Sequence, residues 1–171
     1  DEPEVVDNCD PDSVITLEET TIPGACPQEY TLIRTWTSTD ACGNSSTATQ
    51  IIHVVDTTPP VLTPVHPGLH GVMSGDTLIY ECDAIIIYDV NDVTAEDNCD
   101  DNPTVTFDEI IREGDCIADG FLLEMICTWT ATDACGNSSS FYIVVYIVDN
   151  TPPVLHGVPA NVTLECDQDL P

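Results

Sequence analysis

Lysine is absent from this chain, and Arg34 and Arg112 are its only strong cations. Opposite them stand 31 acidic residues, so that the formal net charge is −29 at pH 7. Nucleic-acid binding relies on lysine and arginine to neutralise phosphates, and anionic membrane surfaces attract basic segments. We therefore expect neither nucleic acid nor an anionic membrane surface as a partner. The same deficit excludes isopeptide crosslinks that use lysine.

Long apolar runs and signatures of catalysis are also missing. The longest apolar run, Phe141–Val148, has the length of a strand and not the ~20 residues of a membrane-spanning helix. We therefore expect no membrane insertion. The sequence has no glycine-rich phosphate loop and no recognisable grouping of serine, histidine and carboxylate. We therefore expect no enzymatic activity.

Cysteine, by contrast, is abundant, with nine residues in a chain of 171. Because cytosolic thiols are kept reduced, this abundance favours an oxidising, extracellular setting. With 42% apolar residues, the chain is hydrophobic enough to fold despite its charge. We expect a secreted or cell-surface protein whose acidic groups need cations to relieve their mutual repulsion.

A repeated segment shows how the chain is organised. TDACGNSS occurs at Thr39–Ser46 and again at Thr132–Ser139, and each copy is followed by an apolar run and a proline pair. Residues 61–153 carry a complete set of such landmarks. Residues 1–60 carry the later part of a set, and residues 154–171 carry the opening of another. Internal repeats of this kind indicate tandem modules.

The two incomplete sets complement each other. Residues 154–171 of one unit supply the opening that residues 1–60 of the next unit lack. We therefore expect copies of the unit to follow one another head to tail, with strand addition completing the first module. Two arrangements remain open at this point: adjacent repeats of one very long chain, or separate subunits that join. Both give a filament, because a head-to-tail contact that does not close into a ring is open-ended.

Threonine, valine and isoleucine dominate the patterns between these landmarks, with proline and glycine at the turns. Residues 30–40 and 122–133 alternate with threonine on one face. Residues 46–56 and 139–149 follow the DACGN segment as the second arm of a hairpin. No segment has a convincing helical pattern. We predict an all-β fold built from β-sandwich modules.

The run of motifs TPP, VTLECD, DNCD, GAC, TWTATDACGNSS and VVDTTPP resembles a known family. It is similar to the hyalin-repeat (HYR) type of immunoglobulin-like module, which is arrayed in secreted bacterial surface proteins and adhesins. The resemblance covers nearly the whole chain. It implies an end-to-end array of disulfide-stapled, immunoglobulin-like β-sandwich modules with structural or adhesive roles.

Each module carries four cysteines, in ECD, DNC, GxC and DAC segments, and sequence alone permits three pairings. In an up-and-down-like sandwich, the DNC and DAC turns fall at one end and the ECD and GxC segments at the other. Bridged cysteines need Cα atoms within roughly 7 Å, which favours pairing at the same end. The predicted bridges are Cys99–Cys135, Cys82–Cys116, Cys9–Cys42 and, between units, Cys166–Cys26. Cys127 is left over and is predicted to be a buried free thiol.

Acidic and amide side chains cluster in the same turns. If the DNC and DAC turns share one end of a sandwich, four or more carboxylates lie within a few ångströms, an arrangement that favours a divalent cation. Calcium takes six to eight oxygen ligands, and we expect it at these turns and at the linker aspartates, where it is shared between modules. The alternative is that these are solvated turn residues, because Asp and Asn favour turns. The predicted ligands are Asp7, Asp10, Asp40, Asn44, Asp56, Asp97, Asp100, Asp101, Asp133, Asn137 and Asp149.

Glycan attachment is a further expectation. Asn-x-Ser/Thr sequons occur at Asn44, Asn137 and Asn161, and the first two compete with the proposed calcium turns. Ser13, Thr57 and Thr77 each follow an aspartate in a pattern that resembles bacterial O-glycosylation sites.

Taken together, these patterns predict a structural repeat unit of a secreted, calcium-stabilised extracellular filament or adhesin stalk. The alternative is a carbohydrate- or receptor-binding module of a secreted surface protein. That alternative requires exposed aromatic residues grouped on one face, whereas aromatics make up only 6% of the chain and fall mainly in strands.

Overall fold

A computed structural model describes residues 3–163 of the chain. Within them the chain forms nine β-strands and two short 3₁₀ turns, Pro67–Leu69 and Val90–Asp92. The prediction of an all-β chain is therefore confirmed. The strands are β1 (Val14–Pro23), β2 (Tyr30–Thr39), β3 (Ser45–Val54), β4 (Val61–Pro64), β5 (Thr77–Glu81), β6 (Val93–Glu96), β7 (Thr104–Glu113), β8 (Leu123–Thr132) and β9 (Ser138–Val148).

The first three strands form an antiparallel sheet in the order β1-β2-β3. The DACGN turn joins β2 to β3, and its Gly43 has a φ of 87°, a left-handed conformation that glycine adopts without strain. Trp36 lies opposite Leu17 of β1 and Ala48 of β3. The turn and the alternation of side chains thus set one register for this sheet.

The six remaining strands form two sheets around one core. One sheet has the order β5-β9-β8-β7, with β5 parallel to β9 and the other pairs antiparallel. The strands β4 and β6 form a separate antiparallel pair. Leu62 of β4 and Val93 of β6 pack into the same cluster as Trp129 of β8 and Ile143 of β9. The two sheets therefore enclose a shared apolar core.

Trp129 lies at the centre of this core and is fully buried. Its indole Nε1 donates to the backbone oxygen of Asp89 at 2.7 Å, so the one polar atom of the ring is satisfied. The rings of Phe107 and Phe141 pack against it with centroids at 5.0 and 5.7 Å. Cys127 belongs to the same cluster and, among the residues that the structure describes, is a buried, unpaired thiol, as predicted.

The sheet of the first module has no comparable cover. Trp36 and Trp129 are equivalent, because both belong to the repeated TWT segments. Trp36 is only partly buried, and Leu17 beside it is 50% exposed. No strand of residues 3–163 forms a second sheet over this face. The first module is therefore a sheet with one apolar face partly open.

Candidate metal centre at the joint between the modules

The DNC turn of the second module is organised by two carboxylates. Oδ1 of Asp97 accepts hydrogen bonds from the backbone N–H groups of Cys99 and Asp100 at 2.8 and 2.9 Å. Asp100 accepts from the N–H of Asn102 with one oxygen and from the N–H of Ala134 with the other, each at 2.9 Å. Because Ala134 belongs to the DAC turn, Asp100 clamps the two turns together.

The DAC turn is organised by Asp133 and Asn137. Oδ1 of Asp133 accepts from the backbone N–H groups of Cys135 and Asn137 at 2.9 and 2.8 Å. Its Oδ2 accepts from the side-chain nitrogen of Asn137 at 2.8 Å. Burial raises the pKa of the Asp133 carboxyl, but these hydrogen bonds outweigh it and lower the pKa below its ordinary value. Asp133 is therefore held in its ionised form.

The linker that follows β3 enters the second module at the end that carries the DNC and DAC turns. Asp56 is only 5% exposed, and its Oδ1 accepts from the N–H of Thr58 at 3.2 Å. The backbone oxygen of Asp56 accepts from Nδ2 of Asn137 at 3.1 Å, and the hydroxyl of Ser139 donates to the backbone oxygen of Pro60. The structure thus brings the linker aspartate of one module against the DNC and DAC turns of the next.

A compact group of candidate ligands results. Ligand atoms of Asp56, Asp97 and Cys99 lie within 4.8 Å of one another. Within the described part of the chain, the Oδ2 atoms of Asp56 and Asp97 are buried without any hydrogen-bond partner. Two carboxylate oxygens that are close together, desolvated and unpaired repel each other and lose their hydration. A divalent cation between them would offset both effects, so we name this group the joint centre.

The joint centre suits calcium better than a soft metal. Carboxylate and backbone oxygens are the ligands that calcium prefers. Burial raises the pKa of the Cys99 thiol, and the charges of Asp56, Asp97 and Asp133 raise it further. Because a metal binds the thiolate and not the thiol, Cys99 is a poor ligand in this state. The sequence predicts Cys99 in a disulfide with Cys135, so its position beside Asp56 and Asp97 was not expected.

The corresponding turns of the first module repeat the same hydrogen bonds. Oδ2 of Asp10 accepts from the N–H of Ala41 at 2.7 Å, and Oδ2 of Asp40 accepts from Nδ2 of Asn44 at 2.7 Å. The Asn44 side chain is the largest influence that lowers the pKa of Asp40. Asp7 caps its turn as Asp97 does in the second module. Within residues 3–163, no linker aspartate meets these groups as Asp56 meets the second module.

Two predicted ligands lie outside both clusters. Asp101 is exposed. Asp149 is exposed after β9, where its Oδ1 accepts from the N–H of Thr151 at 3.1 Å. Asp56 and Thr58 make the same local contact in the first linker. The second linker therefore leaves its module with the same local structure as the first.

The disulfide pairing differs from the prediction. Cys135 is bridged to Cys26, with Cα atoms 5.0 Å apart, so the predicted pairs Cys99–Cys135 and Cys166–Cys26 are wrong in this structure. Cys166 itself lies outside the described residues. Pairing at the same end applies within one module, whereas the GAC loop of the first module lies at the end that meets the second, opposite the DAC turn. The contact between the modules therefore decides the partner of Cys135.

The other predicted bridges are not formed either. Within residues 3–163, Cys9, Cys42, Cys82 and Cys116 are unpaired and exposed, so the pairs Cys9–Cys42 and Cys82–Cys116 are not observed. Cys82 and Cys116 follow β5 and β7, the opposite edge strands of the order β5-β9-β8-β7, so two strands separate them. The turns of Cys9 and Cys42 are held together by the bond from Ala41 to Asp10 without a bridge.

The candidate glycosylation residues are mostly on the surface. Thr57, Thr77 and Asn161 are exposed, and the hydroxyl of Ser13 donates to the backbone oxygen of Asp10 at 3.2 Å. Asn137 is different, because its Nδ2 already donates to two acceptors in the joint. A glycan attached to Nδ2 of Asn137 would leave a single N–H for two acceptors, the backbone oxygen of Asp56 and Oδ2 of Asp133.

Comparison with known proteins agrees with the repeated cysteine motifs. Residues 1–54 match the family described as an HYR-like domain with four cysteines. The chain contains an HYR-like module. Over 133 residues, or 75% of its length, it is also 31% identical to hyalin of Lytechinus variegatus, and this match spans 23% of hyalin. The chain thus corresponds to less than a quarter of that relative.

These similarities confirm the HYR-like resemblance and support an extracellular, adhesion-related module, because domains of the HYR and hyalin type are extracellular or surface domains. Across residues 3–163, no helix has the length and the apolar character that crossing a membrane requires.

Proposed function

We propose that the chain is a non-enzymatic, structural repeat unit of an extracellular, calcium-stabilised filament or adhesin stalk. Its immunoglobulin-like modules follow one another end to end, and residues 154–171 of one unit complete residues 1–60 of the next. The observation that carries this proposal is the contrast between the enclosed core of the second module and the open face of the first.

The opening strands of the second module show what such strands contribute to the core of a module. Its strands β4 and β5 supply Leu62 and Leu78 to the cluster around Trp129. The equivalent face of the first module contains Trp36 and Leu17 but receives no such strands from residues 3–163. Burying one side chain of leucine size stabilises a protein by roughly 1.5–3 kcal/mol. Two added strands would therefore supply a substantial driving force for association.

The segment after the second proline pair carries suitable side chains. Val154 and Leu155 repeat Val61 and Leu62, which follow the first proline pair. Leu62 packs against the core of its module, whereas Leu155 is 85% exposed. If Leu155 occupies the place of Leu62 on the open face of a following unit, two exposed apolar surfaces cover each other.

Calcium would hold the joints of such an array. In the joint centre, the unpaired oxygens of Asp56 and Asp97 are positioned to share one ion, with Asp133 and Asn137 fixing the turn behind them. The ion would bind both modules at once, because Asp56 belongs to the first linker and Asp97 to the second module. The large negative charge of the chain supports the same role, since the cations reduce repulsion between neighbouring units.

The extracellular setting rests on three features that agree. The chain is rich in cysteine, one disulfide already crosses the joint, and its module type is HYR-like. The similarity to hyalin supports an adhesive or structural role of the same general kind.

Assembly of the 171-residue chain tests this proposal. We expect sedimentation velocity and electron microscopy to show linear oligomers with excess calcium and shorter ones after chelation. Leu155→Asp should abolish them, because a charge cannot enter the open apolar face. Ile85→Asp is the matched control, since Ile85 is 87% exposed in a loop of the second module.

A wild-type chain that stays monomeric at high concentration with calcium would refute the proposal, as would oligomers that survive Leu155→Asp unchanged. Specific retention of such a monomer on immobilised glycans would instead support the carbohydrate-binding alternative.

A further inference from the structure

The Cys26–Cys135 disulfide across the joint indicates where a second, equivalent bridge can form. Cys26 lies in the loop that closes the β1–β2 hairpin, and Cys135 lies in the DAC turn of the second module. The bridge therefore connects the far loop of one module to the near turn of the module that follows. Both ends of this connection occur twice in the chain.

The loop cysteine has a counterpart in Cys116. Cys26 stands three residues after β1 ends at Pro23, and Cys116 stands three residues after β7 ends at Glu113. Both loops begin with a glycine whose N–H is bonded across the hairpin, to Glu29 in the first module and to Leu122 in the second, each at 2.8 Å. Cys116 is exposed and has no partner within residues 3–163.

The turn cysteine has a counterpart in Cys42. The N–H of Cys42 donates to Oδ1 of Asp40 at 2.9 Å, and the N–H of Cys135 donates to Oδ1 of Asp133 at the same distance. The backbone closes each turn alike, at 3.0 Å between Asp40 N and Asn44 O and at 3.1 Å in the second module. Across the described part of the chain, Cys42 is exposed and unpaired, whereas Cys135 is bridged.

We propose that Cys116 of one unit forms a disulfide with Cys42 of the following unit. The inference rests on the head-to-tail arrangement proposed above and names the surface that each unit presents to the next. The second linker supports it, because Asp149 and Thr151 repeat the local contact of Asp56 and Thr58 that leads into the internal joint.

A recess at the near end of the first module fits this arrangement. It has a volume of about 190 Å³ and is lined by Asp7, Asp40 and Asn44, among others. The equivalents of these residues in the second module are Asp97, Asp133 and Asn137, which receive Asp56 in the internal joint. Asp149 of a preceding unit would enter this recess in the same way and place its loop cysteine beside Cys42.

The bond forms by ordinary thiol–disulfide exchange with a low-molecular-weight disulfide as the oxidant. The thiolate of Cys116 attacks one sulfur of that disulfide, which releases one small thiolate and leaves a mixed disulfide. The thiolate of Cys42 from the following unit then attacks the Cys116 sulfur and releases the second small thiolate. Two protein thiols are oxidised, one small disulfide is reduced to two thiols, and two protons leave the protein.

The test mixes two variants of the 171-residue chain, each of which lacks one cysteine, under a glutathione redox buffer with calcium. On a non-reducing gel, wild type should give a ladder of linked chains, and Cys42→Ser and Cys116→Ser should each remain monomeric. Their mixture should give a dimer and nothing larger, because only one complementary pair of thiols remains. Cys82→Ser, which removes another exposed thiol, should leave the wild-type ladder unchanged.

Peptic digestion and mass spectrometry of that dimer should find the peptide of Cys42 joined to the peptide of Cys116. Acidic digestion is chosen because protonated thiols exchange slowly. A linked dimer from either variant alone, or no dimer from the mixture, would overturn the inference. Sedimentation of the wild-type chain with calcium and reductant distinguishes the two proposals. Association under these reducing conditions would support the head-to-tail arrangement even if the disulfide between Cys116 and Cys42 does not form.

Discussion

The isosteric change Asp97→Asn should have opposite effects on stability with and without calcium. Ligand atoms of Asp56 and Asp97 lie within 4.8 Å of each other, and at an effective dielectric constant of ~20 two unit charges at that distance repel by about 3 kcal/mol. An asparagine keeps the oxygen that caps the N–H groups of Cys99 and Asp100. Its NH₂ group replaces the unpaired Oδ2 and can donate to Asp56. Without calcium, we therefore expect the variant to be more stable than wild type by about 1–3 kcal/mol.

With calcium the order should reverse. An ion that binds only the folded state stabilises it by about 4.1 kcal/mol when its concentration is a thousand times Kd, which exceeds the advantage of the variant without calcium. Wild type gains this stabilisation, whereas the variant has lost one of the two free carboxylate oxygens and gains little. For a module of this size, each kcal/mol moves Tm by roughly 4–8 °C, so calorimetry with calcium and with chelator resolves the reversal.

An exposed aspartate outside the joint centre provides the control for Asp97→Asn. Asp108→Asn removes the same charge from an exposed strand position and should respond to calcium as wild type does. If Asp97→Asn lowers Tm by the same amount with calcium and with chelator, Asp97 acts only as a turn cap and the joint centre binds no cation.

Three further predictions concern single groups. Trp129→Ala should lower the free energy of unfolding by about 3–5 kcal/mol in urea, and Trp36→Ala by clearly less in the unassembled chain, because only Trp129 is fully buried. Burial raises the pKa of the Cys127 thiol to about 12, so Cys127 should resist iodoacetamide at pH 8 while the exposed thiols react, as mass spectrometry would show. The lowered pKa of Asp133 means that its stabilising effect is complete above the ordinary value of 3.8 and is lost as pH falls through the lowered one. Acid melting curves of wild type and Asp133→Asn should therefore converge at low pH, and curves that stay parallel would contradict this assignment.

The strands and their turns could be predicted because their causes are local. Alternating threonine and apolar side chains specify strands, and the Asp-Ala-Cys-Gly-Asn sequence specifies the turn, in which Gly43 and Gly136 adopt a left-handed φ. Because each landmark occurs in two copies, the same local pattern predicts the same strand and turn twice.

The bridge between Cys26 and Cys135 could not be predicted, because it depends on how one module meets the next. The rule that bridged cysteines share an end of a module places the DNC and DAC turns together correctly, as the bond from Ala134 to Asp100 shows. That rule carries no information on which loop of the preceding module lies opposite that end. For the same reason, the position of Cys99 beside the linker residue Asp56 could not be predicted.

The Cys26–Cys135 bridge and the parallel pairing of β5 with β9 together determine how tension would pass through the second module. Thr77 to Glu81 lie beside Val144 to Val148, and the two strands run in the same direction. If the bridge is reduced, tension along the proposed array would enter through the linker and leave after β9, so the hydrogen bonds between β5 and β9 would shear together. With the bridge intact, tension from the first module would reach the chain at Cys135, just before β9 begins at Ser138. The oxidised joint would therefore limit the extension of the second module, and its redox state would decide which strands bear the load.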